Sequence, residues 1–174
     1  AWVILCSGMR ESVVRKKFAR ISEAFLNWKS ALAITDPAQK CRACALKHFN
    51  NPSKIDAIQS VASHVARLGF DRVKEKIKQE GIKYLRELPY IGPVTCFHLA
   101  KNIGLPLAKP DRHLCRLAEA LGYGCVQQLC SDVANVIQEP IPVVDIVLWR
   151  YSTLFNHRLS RFYHSMSKRI VHAY

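Results

Sequence analysis

Asp111 is the acidic residue whose setting could carry chemistry. In "KPDRHLCRLAEALGY" it follows Pro110 and precedes Leu114, Leu117, Ala118 and Leu121, an apolar face at helical spacing. An Asp in that place takes a helix N-cap and accepts from the N–H two or three residues on. The same carboxylate could stabilise positive charge developing on a bound substrate. Upstream lies "LPYIGPVT", with Pro93 where a first-turn proline is tolerated. A helix starting there leaves backbone N–H groups around Gly92 to Thr95 without intrahelical partners, at the positive end of a helix dipole. Such donors suit a phosphate. Gly92 brings no side chain to hold an anion away or to resist the φ required. Each half also has a plain structural reading, an αα-hairpin and an ordinary cap.

Other reactive side chains have weaker settings. Lys101 lies two turns along the helix that Pro93 opens, and Lys109 just before Asp111; each reads as a surface lysine or as a displaced amine nucleophile. His98 reads as an interior, hydrogen-bonded histidine or as a pocket residue, and His113 as structural. Cys41 and Cys44, as "CRAC" with His48 following, mimic half of a zinc site, but a second pair at standard spacing is missing. The seven cysteines, an odd number, read as reduced thiols in an intracellular compartment, cytoplasm with nucleoid or nucleus. Neither a metal nor a cofactor is expected.

The elements that must position these residues are helices. Apolar positions recur at helical spacing almost everywhere and β-branched alternation is nearly absent, which predicts an all-α protein. The opening "AWVILC" reads as a buried helix, preceded by a missing N-terminal piece. A polar joint around Ser7 to Glu11 then leads into an amphipathic helix. Pro37 and Pro52 bracket a short helix through the cysteine pair. Ser53 is expected to cap a helix carrying Ile55, Ile58 and Ala62 that turns at Gly69, and Asp71 the next, closed by Gly81. "IKYLREL" runs short into Pro89. Gly104 ends the helix that Pro93 begins, and Ser131 or Asp132 opens another before Pro140 and Pro142 introduce "VVDIVLWRYSTLF". The last segment is basic and amphipathic, with Arg158, Arg161, Lys168 and Arg169 as candidate phosphate contacts.

At 174 residues the chain holds one good core or two small lobes. Its 26 Lys and Arg against 13 acidic residues give a net charge of +13, which points to a polyanionic partner. A membrane surface fits poorly, because no segment pairs a Lys/Arg face with a Leu/Phe face, and no apolar run is long enough to span a bilayer.

The order helix, "LPYIGPVT", helix, Gly-Leu-Pro connector and "KPDRHLCRLAEALGY" resembles the helix–hairpin–helix (HhH-GPD) superfamily of base-excision DNA glycosylases, in its endonuclease III-like branch. Asp111, His113, Leu114 and Arg116 fill that family's Asp motif. "SKIDAIQSVASHVARLG" and "WVILCSGMRESVVRKKF" resemble its upstream helices. The likeness covers roughly residues 1 to 155 and is specific over 85 to 123.

What the resemblance implies is a single domain over 1–174 with a two-lobed helical fold. The hairpin falls at about 82–104, one helical lobe at about 36–121, and the remaining helices form the second lobe. It implies a monomer that binds double-stranded DNA, turns a damaged or mispaired base out of the stack and hydrolyses its glycosidic bond. Asp111 becomes the catalytic carboxylate, suited by its cap bonds to an oxocarbenium-like centre. Tyr90, Gly92, Val94 and Thr95 become the DNA-backbone grip.

Departures from the family pattern matter as much. Val94 stands where bifunctional members place the Schiff-base lysine, which predicts a monofunctional enzyme without lyase activity. Tyr90 replaces the usual first hairpin glycine. Gly8 falls at the duplex-filling position, leaving Met9 or Arg10 beside it for that role. Leu5 stands where adenine-mismatch members carry Glu. Cys130 is the last cysteine, so the iron–sulfur loop of many relatives cannot be built. The rival reading is a non-catalytic helix–hairpin–helix DNA-binding module in which Asp111 is a cap alone.

Overall fold

The computed structural model describes residues 1–154, and every regular element among them is helical. The protein is therefore all-α. The basic segment with Arg158, Arg161, Lys168 and Arg169 lies outside the described residues. Among the described residues no helix is long and apolar enough to cross a membrane. Two compact units divide the chain, Ala1–Cys96 and Phe97–Tyr174.

The first unit opens with α1 (Trp2–Cys6), whose Val3, Ile4 and Leu5 are all buried, and α2 (Glu11–Ala24). After α2 the chain turns through Leu26, Asn27 and Trp28 at φ 54, 52 and 60°. Consecutive left-handed residues cost about 1–2 kcal/mol each. Trp28 offsets part of that cost by stacking on Phe25 and Phe18, with centroids 5.2 and 6.1 Å apart. Short helices α3 (Ala31–Thr35) and α4 (Cys41–His48) follow, the second carrying the cysteine pair.

The long α5 (Pro52–Leu68) starts two positions earlier than the Ser53 cap predicts. Asn51 Oδ1 accepts from the Lys54 N–H at 3.2 Å, and Pro52 takes the first helical position, where its missing N–H costs nothing. Gly69, at φ 85°, ends α5 and is itself the N-cap of α6 (Phe70–Glu80), so Asp71 lies within the first turn rather than at the cap. Gly81 then leads into α7 (Ile82–Leu85).

The division between units falls inside α8 (Thr95–Asn102). The second unit continues with α9 (Arg112–Ala120), α10 (Val126–Ile137) and α11 (Ile141–Leu154). Cys125, not Ser131 or Asp132, precedes α10; both of those lie mid-helix, because the apolar stripe Val126, Leu129, Cys130 and Ala134 begins a turn and a half earlier. Leu114, Leu117 and Ala118, at i, i+3 and i+4 on α9, pack with that stripe and with Val144 of α11 into one core. Leu114 is fully buried, and its truncation to Ala would cost about 2–5 kcal/mol. This core fixes where the N-terminus of α9 stands.

Candidate functional site

Within the first unit the hairpin is built by local bonds. Ile91 N–H reaches Leu88 O at 3.1 Å, and Cys96 N–H reaches Gly92 O at 3.0 Å, which closes a helical turn with Pro93 at its first position. The left-handed conformation expected at Gly92 belongs instead to Tyr90, at φ 65°. A Cβ at Gly92 would meet Thr95 Oγ1 at 3.8 Å, an ordinary contact, so neither strain nor crowding within the chain demands glycine there.

The donors of this turn are fewer than the spacing suggests. Gly92 N–H is taken by Thr95 Oγ1 at 2.6 Å, the reach-back half of a capping box. Pro93 has no N–H. The N–H groups of Val94 and Thr95 are left without an acceptor among the described residues. Val94 is 43% exposed, so an aliphatic side chain without an amine stands beside them.

Met9 and Arg10 lie in the same unit, exposed in the joint between α1 and α2. That joint is braced from below by Lys54, which is 4% exposed. Its ammonium donates to Leu5 O at 2.7 Å and Ser7 O at 2.5 Å, the carbonyls that end α1. Burial lowers the Lys54 pKa. Sequence reasoning missed this lysine, although Lys54 shares a helical face with Ile58 and Val61. A cation on an apolar face signals a buried acceptor.

In the second unit Asp111 is the N-cap of α9. Its Oδ1 accepts from His113 N–H at 2.9 Å and Leu114 N–H at 3.1 Å. Both cap bonds fall on one oxygen, and Oδ2 takes no part in the cap. Asp111 is half-buried. His98 is half-buried as well, and its pKa is lowered to about 4 by burial first, then by the cations of Lys109 and Lys101, with Asp111 acting in the opposite direction. The imidazole is therefore neutral at physiological pH, among charges of both signs.

Lys101 is no free amine. It pairs with Asp145 of α11, with side-chain exposures of 9% and 1%. The second oxygen of Asp145 accepts from the Lys109 backbone N–H at 2.5 Å. Cys130 lies in the same surroundings; burial pushes its thiol up to about 12, with Asp145 adding and Lys101 opposing. Asp145 also went unread in the sequence, where a lone carboxylate within "VVDIVLW" signals an enclosed cationic partner. Cys41 is buried and Cys44 half-buried in α4, and no group of three His, Cys, Asp or Glu gathers among the described residues in a way that could hold a metal.

No family model, curated protein or solved structure matches the chain.

Proposed function

We propose that this chain is a monofunctional DNA glycosylase with the two-lobed helix–hairpin–helix (HhH-GPD) fold, acting on a damaged or mispaired base flipped out of duplex DNA. The observation that carries the reading is Asp111. Within the motif "KPDRHLCR" its carboxylate is held at a helix mouth through Oδ1 alone, so Oδ2 can face a substrate. The net charge of +13 and the donors of Val94 and Thr95 support a phosphate-bearing partner.

In the proposed reaction the C1′–N bond breaks with its electron pair leaving on the base, which takes up a proton. Asp111 stabilises the cationic sugar by charge. Water adds its oxygen to C1′ and gives up a proton, to Asp111 or to solvent. Val94 supplies no amine and Lys101 is held in an ion pair, so a Schiff base and strand cleavage are not expected. Exposed Met9 and Arg10 are the candidates for filling the duplex.

The competing reading is a non-catalytic DNA-binding module in an intracellular, monomeric protein. One observation favours it: Asp111 already has a full structural role as a cap. Single-lesion duplexes bearing oxidised, alkylated and deaminated bases, read with and without hot alkali, separate the two. The glycosylase gives product only after alkali, and Asp111→Asn, which keeps a good cap, abolishes it. Duplex binding without product on any lesion supports the module, and strand breaks before alkali contradict the monofunctional assignment.

A further inference from the structure

Asp145 is the ionisable side chain most deeply enclosed in α11, and none of the chemistry proposed above uses it. A carboxylate at 1% exposure is tolerated only when paired and hydrogen-bonded. Lys101 of α8 satisfies Oδ1 and the Lys109 backbone N–H satisfies Oδ2. The Lys109 donor is the informative one, because it belongs to the connector between α8 and α9, which has no regular structure to hold it. That connector is tied at Leu105 N–H to Ala100 O, 3.0 Å, and at Ala108 N–H to Gln127 Oε1, 2.9 Å. The next tie is Lys109 to Asp145.

From Lys109 the chain of bonds runs directly to the candidate catalytic group. The carbonyl of Lys109 accepts from the Asp111 N–H at 2.8 Å. One residue therefore donates to Asp145 and accepts from Asp111, so each of the two peptide planes that meet at the Lys109 Cα is held by one of these bonds. We infer that Asp145 is the positioning residue of Asp111: its buried carboxylate clamps the Lys109 peptide and so sets where the Asp111 carboxylate stands at the mouth of α9. Lys101 pairs with Asp145 and orients it, and is not a nucleophile. The consequence for rate rests on the glycosylase reading; the consequence for placement does not.

The test uses the full chain. Lys101→Met with Asp145→Asn removes both charges but keeps an oxygen for Lys109; Lys101→Met with Asp145→Leu removes that oxygen as well. Base release and amide hydrogen exchange at Asp111, His113 and Leu114 are measured beside thermal melting. The Leu-containing pair should lose kcat by about tenfold or more with KM for the duplex unchanged, as expected for a misplaced catalytic group, while the Asn-containing pair stays within about threefold of the parent. The three amides should exchange faster in the Leu-containing pair alone. A folded Leu-containing pair with parental kcat and exchange overturns the inference, as does an equal loss in both pairs. If either pair fails to melt cooperatively, Asp145→Glu decides. It keeps the charge but shifts the acceptor, and parental kcat and exchange in that variant also overturn the inference. Should the parent release no base from any duplex, the glycosylase reading falls, and the amide exchange still decides whether Asp145 positions Asp111.

Discussion

Thr95 Oγ1 stands 2.6 Å from the Gly92 backbone nitrogen and accepts its hydrogen bond, so the hairpin closes on itself before any partner arrives. The hydroxyl also lies 3.3 Å from Gly92 O and 3.4 Å from Tyr90 O, the carbonyl of the left-handed residue. Thr95→Val removes the acceptor while keeping the shape. Stability to urea should fall by about 1 kcal/mol with an unchanged m-value. On the proposed DNA-binding reading, duplex affinity should fall too, with the salt slope unaltered, because no cation is lost. Parental stability would mean that the reach-back bond does not hold the turn.

Lys54→Met tests the brace beneath Met9 and Arg10. Methionine can fill the stem's volume but offers no donor, so the Leu5 and Ser7 carbonyls lose their ammonium partner. Hydrogen bonds to charged groups are worth about 1.5–3 kcal/mol each, partly offset by the relief of a buried charge, which leaves an expected loss of about 2 kcal/mol. Urea denaturation measures it. A variant as stable as the parent would mean that desolvation of the ammonium cancels its bonds.

Helix content was legible because period and punctuation agree along most of the chain: Gly69, Gly81, Gly104 and Asp111 each stand at a helix end. Caps were less legible, since Asn51 and Ser53 are both good cap residues and only the position of Pro52 separates them. The hairpin's left-handed residue was misread because glycine is the usual occupant, yet Tyr90, 42% exposed, takes that φ in its place. Lys54 and Asp145 were illegible for a different reason. Their partners are 49 and 44 residues away in sequence, and pairing across such distances leaves only an anomalous charge in an apolar pattern.

His98 makes stability depend on pH with a definite sign. Its pKa is depressed to about 4 in the folded protein from an ordinary 6.5, through burial and then the cations of Lys109 and Lys101. The unfolded chain therefore binds the proton first as the pH falls. The His98 contribution is fully present above about 6.5 and is lost progressively down to about 4. Thermal melts of the parent and of His98→Gln, taken across that window, should diverge: the parent loses Tm more steeply towards acid, and the variant follows a shallower slope. Parallel slopes would contradict a neutral, enclosed imidazole.

Cys115 reports the field of Asp111 without any substrate. Its thiol is exposed, one turn into α9, and its pKa is raised by partial desolvation first and by the Asp111 charge second. Only the thiolate is alkylated, so that charge slows the reaction at a fixed mildly alkaline pH. Asp111→Asn keeps the cap geometry and removes the charge. Mass-spectrometric alkylation rates should therefore show Cys115 reacting faster in the variant, while exposed Cys125 serves as the internal reference. If the ratio of the two rates does not change, Asp111 exerts no appreciable field even on a neighbouring thiol. The electrostatic role proposed for it toward a cationic sugar would then lose its physical basis.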